Sequence, residues 1–375
     1  MNLLFEPYGI NKMMKRGVLI LMFFLCMIFE SFGQDPQFSQ YYASPLYLNP
    51  AFAGTGFAHR LTLNSRIQWP SLPQAFISNA FSWDMNMPTW NSGFGIQVVS
   101  DKAGSVGLRS TSFGMIYSYK VYLGNKWVWS SGLNFKYSIR DIDFTKMLFG
   151  DQLEFGGTGG APSIDPAAYN LRNTGFFDFD FGVLFYNDKI WIGAAASHLN
   201  EPNTSFLEDV YRLPMKITMH AGMKIPLNSG MFASKRPTHI TPSIYYKIQD
   251  VFTQLDIGIN YYYEPIKFGI WYRGVPIQKF TGPQGDSYMS HDALIFLVGF
   301  AAWNFEFNYS YDFTVSQLGV NTNGAHEFSL IYQFKTKKIK NLRKKKKAIP
   351  CPAFYNDNLE LNPPGWMKKK KKERF

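Results

Sequence analysis

Catalysis and metal binding need particular side chains at particular spacings. The six histidines, at positions 59, 198, 220, 239, 291 and 326, are the first place to look for them. None belongs to an H-E-x-x-H metal motif, because His326-Glu327 has no second histidine at the required offset. The two cysteines, Cys26 and Cys351, build neither a disulfide framework nor a Cys-rich zinc site. No G-x-S-x-G nucleophile elbow and no P-loop occurs. The run Gly156-Gly157-Thr158-Gly159-Gly160 neither follows a strand pattern nor opens a helical one, so it reads as a loop tip and not a phosphate cradle. Asp178, Asp180, Asp256 and Glu306 alternate with apolar residues and read as polar groups facing a lumen. The expectation is a protein that is not an enzyme, with no cofactor and no resident metal.

The elements carrying these residues alternate with a period of two. Phe305, Phe307, Tyr309, Tyr311 and Phe313 oppose Asn304, Glu306, Asn308, Ser310 and Asp312; Phe177, Phe179, Phe181, Val183 and Phe185 oppose Asp178, Asp180 and Gly182. Such a segment is a strand whose two faces meet different surroundings. Fourteen segments share the pattern, at 60–69, 75–84, 92–101, 109–122, 125–140, 176–187, 189–199, 213–226, 237–247, 251–263, 265–274, 289–302, 304–313 and 325–335. An even number of strands, apolar on one face and polar on the other, predicts an all-β fold: a transmembrane antiparallel β-barrel of about 14 strands.

Connector lengths predict its orientation. Links after even strands include the tight turns Gly124-Asn125, Asn187-Asp188, Glu264-Pro265 and Trp303-Asn304, whereas links after odd strands include 141–175, 200–212, 275–288 and 314–324. Outer-membrane barrels have short periplasmic turns and long external loops, which places both termini in the periplasm. Residues 227–236 and the link near Gln249-Asp250 are the two exceptions in length. Trp83, Trp127, Trp129, Trp191 and Trp303 then fall near the periplasmic ends, where an interfacial girdle is expected.

Composition agrees. Only 17% of the 375 residues are charged and 18% are aromatic, against about 25% charged in an ordinary soluble domain. No apolar run approaches the roughly 18 residues of a spanning helix except near the N-terminus. There, Lys15-Arg16 precedes an apolar stretch from Gly17 to Phe29 and then Ser31-Phe32-Gly33, which predicts a signal peptide over 1–33 starting conventionally at Met13 or Met14. The net charge of +11 is concentrated at the other end, where residues 335–375 hold 15 Lys/Arg against 3 Asp/Glu. Nucleic-acid binding by the body is therefore excluded as a reading of the charge.

Residues 34–59 are rich in aromatics, Pro and Asn but lack any period, and they predict a plug or brace against the lumen of a barrel spanning 60–335. Gln37-Phe38-Ser39-Gln40-Tyr41, Pro45, Asn49-Pro50-Ala51 and Gly54 lie in this segment; Tyr311-Asp312-Phe313, Ser316 and His326-Glu327 lie near the barrel's other end. With His198-Leu199-Asn200-Glu201-Pro202 between them, these elements resemble the PorP/SprF family, outer-membrane proteins of the type IX secretion system of Bacteroidota. The resemblance runs over about 34–335. It implies participation in the export and surface anchoring of adhesins with a type B C-terminal sorting domain, often those used in gliding motility. It also implies as partners the adhesin's C-terminal domain, type IX components in the periplasm and the outer membrane itself. Gln37, Phe38, Tyr41, Pro45, Asn49, Pro50, Gly54, Tyr311, Asp312, Phe313, Ser316, His326 and Glu327 are the expected plug or partner contacts.

The alternative is an outer-membrane porin or hydrophobic-substrate transporter, since fatty-acid transporters also have fourteen strands and a plug with an Asn-Pro-Ala motif like Asn49-Pro50-Ala51. The tail, 336–375, departs from the family pattern. Its blocks of like charge predict a disordered basic periplasmic segment, with Lys344, Lys345, Lys346, Lys347, Trp366 and Lys368 as partner contacts and Cys351 as an unpaired thiol within it.

Overall fold

The computed structural model describes residues 35–334, except 57–58, 73–74, 105–106, 144–146, 148, 155–156, 159–162, 166–167, 169–171, 208, 228–237, 282–286 and 317–321, together with Cys351. The signal-peptide assignment and the tail contacts Lys344 to Lys347, Trp366 and Lys368 lie outside the described residues.

Fourteen antiparallel strands form one sheet closed on itself. In chain order they are β1 (Arg60–Gln68), β2 (Phe76–Met87), β3 (Ser92–Ala103), β4 (Leu108–Leu123), β5 (Trp127–Asp141), β6 (Thr174–Tyr186) and β7 (Ile190–Ser197), then β8 (Lys216–Met223), β9 (Thr238–Gln249), β10 (Phe252–Tyr263), β11 (Ile266–Thr281), β12 (Ser287–Ala302), β13 (Phe305–Thr314) and β14 (Ala325–Gln333). Each strand pairs with its chain neighbours, and closure comes from β1 against β14, with Arg60 opposite Gln333 and Arg66 opposite Glu327. Closure leaves no sheet edge, which is how a β-structure satisfies its backbone in lipid. The rim where β1 begins and β14 ends is called proximal below, and the opposite rim distal.

The alternation resolves into two surroundings. On β4, Met115, Tyr117, Tyr119, Val121 and Leu123 are exposed on the outer wall, while Ile116, Ser118 and Lys120 are buried inward. On β13, Phe305, Phe307 and Phe313 face outward, with Asn308, Ser310 and Asp312 buried inside. Asp178, Asp180 and Asp256 are likewise buried on the lumenal face.

Two expectations are corrected. The sequence pattern ends β11 at 274 and starts β12 at 289, but the ladder continues to Thr281 and resumes at Ser287, with register breaks at Arg273/Gly274 and Val275/Lys279. A bulge inserts an extra residue and destroys the parity that reveals a strand. Trp191 does not join an exterior girdle. It is 3% exposed among the lumenal core residues, while its neighbour Ile192 is 57% exposed outside. Room for the ring comes from Gly222 on β8, where a Cβ would lie 2.2 Å from the indole. Trp129, Trp303 and Trp90 are exposed near the proximal rim, and Trp127 there stacks on Phe185 at 4.5 Å.

Inside the barrel runs the chain from Pro36 to Thr55, folded as a 3-10 turn (Tyr41–Ala43), a one-turn α-helix (Pro45–Leu48) and a second 3-10 turn (Pro50–Phe52). Pro45 and Pro50 each sit in the first turn of a helical element, where the missing N–H costs nothing. Phe38, Tyr41, Tyr42, Leu46, Leu48 and Phe52 are all buried, each such side chain contributing about 1.5–3 kcal/mol relative to exposure. Cys351 is buried in the same core, and its N–H donates to the Thr55 carbonyl at 3.1 Å. The expectation of a disordered tail therefore does not extend to this residue.

Candidate functional site

Three groups of lumenal contacts hold the inner segment. The first joins it to β1, β10, β11, β13 and β14. Glu327 accepts from the Ser39 N–H at 2.6 Å and the Gln40 N–H at 3.1 Å. The Gln40 amide donates to the Glu327 carbonyl at 2.9 Å and to Ser310 Oγ at 3.0 Å, and accepts from Ser329 Oγ at 2.6 Å. The Ser39 hydroxyl donates to Asp312 Oδ2 at 2.5 Å and accepts from Arg66 and Arg273.

Two guanidiniums face three carboxylates in this group. Arg66 lies 2.8 Å from Asp312 and 3.5 Å from Glu327, and Arg273 lies 2.9 Å from Asp312 and 3.2 Å from Asp256. All five side chains are nearly inaccessible. Buried charges persist only when paired and hydrogen-bonded, and here the backbone N–H groups of Ser39 and Gln40 give Glu327 two further donors. Gln37 joins by turning its amide oxygen to Arg273 Nε at 2.9 Å. Tyr41 stacks on Tyr245 and meets Trp271 edge-on, both at 5.2 Å, and burial pushes its phenol well above the ordinary tyrosine range.

The second group lies on β5, β6, β7 and β8. Asn49 Nδ2 donates to the Val183 and Ala194 carbonyls at 3.0 and 3.1 Å and lies 3.2 Å from His220 Nε2, while its Oδ1 accepts from the Ala51 N–H at 2.8 Å. This approach to the wall requires bare backbone. A Cβ on Gly182 would fall 2.0 Å from Asn49 Oδ1, and one on Gly132 would fall 2.4 Å from the Ala51 nitrogen. Phe52 stacks on His220 at 5.1 Å.

The third group ends the segment. Gly54 adopts φ +63° and donates its N–H to Asp84 at 2.8 Å, and Asp84 pairs with Arg60 at 2.8 Å. Lys120 donates to the Gly54 carbonyl, and Ser118 to that of Ala53 at 2.7 Å. Aromatic faces take two further cations: Lys267 lies 4.0 Å over Tyr42 and Lys216 4.8 Å over Tyr47.

The expected contacts divide accordingly. Gln37, Tyr41, Asn49, Pro50, Gly54, Asp312 and Glu327 are brought together in the lumen. Phe38 packs edge-on against Tyr47 at 5.2 Å, and Pro45 opens the short helix. Tyr311, Phe313 and His326 instead face outward: His326 Nδ1 lies 2.9 Å from the Tyr309 hydroxyl, and its ring packs on Tyr311. Ser316 lies past the distal end of β13. Alternation therefore splits both late motifs across the wall, with one carboxylate of each directed inward.

Arg66, Arg273, Arg60, Lys120 and His220 were not anticipated. The regular inward series Arg60, Thr62, Asn64, Arg66 on β1 is the signal that exposes two of them.

A separate lumenal cluster lies toward the distal rim. Asp178, Asp180 and His198 have ligand atoms close enough to share a metal ion. Lys136 Nζ, however, sits 2.8 Å from both carboxylates, and His198 Nδ1 lies 2.6 Å from Asp178. The ammonium already supplies the cation these acids need. In the β5–β6 link, Asp151 is held below the ordinary carboxylate range by the Ile164 N–H and the Ser163 hydroxyl, at 2.6 and 2.8 Å.

The family described as type IX secretion system membrane protein PorP/SprF matches residues 30–332. No curated protein sequence matches significantly. Among solved structures, the Ralstonia pickettii toluene transporter TbuX is 8% identical, covering 78% of this chain and 94% of its own, with a TM-score of 0.43. The P. putida toluene transporter TodX is 11% identical, covering 76% of this chain and 92% of its own, with a TM-score of 0.41. A variant of the Rh. blastica porin is 9% identical, covering 74% and 99%, with a TM-score of 0.30.

Proposed function

The chain belongs to the PorP/SprF family of type IX secretion system membrane proteins, and from that premise we propose that it is a self-plugged outer-membrane barrel that anchors secreted adhesins at the cell surface. Its cargo class is the adhesin with a type B C-terminal sorting domain, including adhesins of gliding motility. In this reading a leader over 1–33 directs export, both termini are periplasmic, the distal rim faces outward, and periplasmic type IX components are further partners.

The plug carries the reading. A segment buried from Phe38 to Thr55 apart from half-buried Tyr47, and hydrogen-bonded to charged and polar groups of the wall, favours a scaffold over a conduit. The longest distal links, 142–173 and 198–215, then supply the docking surface, since loops on a rigid barrel are where binding usually sits.

The test is isolation of the full chain from its native membrane with identification of the bound proteins, repeated after deletion of residues 145–170. Copurification of an adhesin C-terminal domain that is lost with the deletion supports docking. Adhesin display unchanged by the deletion refutes it, and a large steady conductance of the wild type in planar bilayers would instead favour the porin or transporter reading.

A further inference from the structure

On the outer wall, four neighbouring strands carry a row of polar side chains where an exterior in lipid calls for apolar ones. Ser65 on β1 stands opposite Asn79 on β2, Asn79 opposite Ser100 on β3, and Ser100 opposite Thr111 on β4. Ser65 Oγ donates to Asn79 Oδ1 at 2.8 Å, and the Ser100 and Thr111 hydroxyls lie 3.3 Å apart. These contacts leave hydroxyl and amide capacity for another molecule.

One outward step further toward the distal rim, Lys102 on β3 stands directly opposite Arg109 on β4. Both are exposed. Like charges directly opposite one another destabilise a sheet; Asp141 on β5 stands opposite Arg109 on its other side, but among the described residues no ion-pair contact joins it to either cation. An anion between them would turn the repulsion into attraction.

On the proximal side of the row the outer wall is concave. A groove of about 780 Å³ crosses the β1–β14 closure, lined by Leu63, Phe81, Val98, Phe300, Phe307 and Leu330 among others, with Ser65, Asn79 and Ser100 on its margin. Cation pair, hydrogen-bonding row and apolar groove therefore succeed one another from the distal rim toward mid-wall.

We propose that this face binds one molecule of lipid A: a phosphate between Lys102 and Arg109, sugar hydroxyls and amides along Asn79, Ser100 and Thr111, and an acyl chain in the groove. A sugar-based phospholipid matches all three parts, whereas a glycerophospholipid leaves the polar row unused. The assignment rests on the proposed orientation, in which the distal rim meets the outer leaflet.

The full-length chain in detergent is titrated with diphosphoryl lipid A and, separately, with phosphatidylethanolamine, and bound lipid is read by native mass spectrometry. The wild type retains one lipid A in preference to phosphatidylethanolamine. The double variant K102A/R109A weakens this by about thirtyfold, equivalent to about 1 kcal/mol per removed cation. The variant K126A, at the exposed β4–β5 turn, retains wild-type affinity. Equal lipid A retention by wild type and K102A/R109A overturns the site, as does equal loss in K126A. Orientation is read independently by labelling a G104C variant on intact cells with a membrane-impermeant maleimide. Labelling only after the outer membrane is permeabilised overturns the orientation, and with it lipid A as the resident ligand, whatever the titration shows.

Discussion

Asp312 and Glu327 grip the same residue from two strands: Asp312 accepts from the Ser39 hydroxyl, and Glu327 from the Ser39 backbone N–H. Each carboxylate belongs to a different late motif, and each is also paired to Arg66. The inner segment thus supplies donors that a wall of paired charges would otherwise lack.

Replacing Asp312 by Ala should be severe, because Arg66 and Arg273 would stay buried with their shared partner gone. A loss of about 3–5 kcal/mol is expected. Urea denaturation of the detergent-solubilised barrel checks it, and a change under 1 kcal/mol would contradict the pairing described.

His326→Ala should behave oppositely to Glu327→Ala although the two are adjacent. His326 faces outward onto Tyr309 and Tyr311, so its loss should shift stability by at most about 0.5 kcal/mol. The Glu327 variant should also expose the plug, read as rapid reaction of a cysteine placed at Ser39. Equal reactivity in both variants would contradict the split across the wall.

Gly182→Leu should expel the Asn49 turn, since even a Cβ at this position would lie 2.0 Å from Asn49 Oδ1. Planar-bilayer recordings should show low conductance for the wild type and frequent open events for the variant. Asn49→Ala, which leaves the Val183 and Ala194 carbonyls without that donor, should cost about 1–3 kcal/mol with a weaker conductance effect.

Chelators should leave the melting temperature unchanged, because Lys136 already bridges Asp178 and Asp180. Lys136→Met should lower it by removing the cation between two buried acids. Zinc should then partly restore the variant while leaving the wild type unaffected. Zinc stabilisation of the wild type would show that the ammonium is displaceable.

Strand number and the inward placement of Asp178, Asp180 and Asp256 were legible because period-two alternation is local: each residue's face follows from its neighbours. The bulge near Gly274 was not, since parity fails there. Trp191 was misread because its type suggests an interface, while the space that admits it is made by Gly222 on another strand. The convergence of Arg66, Arg273, Asp312 and Glu327 on Ser39 depends on four strands and the inner segment meeting across the lumen, and no spacing within one segment encodes it. The motif positions Gln37, Asn49 and Gly54 were visible as residues, but their contacts were not.

The bond between Ser39 and Glu327 spans 288 positions, so a segment that precedes every barrel strand is held by the last of them. A chain that stops before Ala325 lacks Glu327, Ser329 and the partner of β1 at once. Plug seating therefore depends on completion of the barrel: only a barrel that has placed its last strand offers the groups on Glu327 and Ser329 that Ser39 and Gln40 meet.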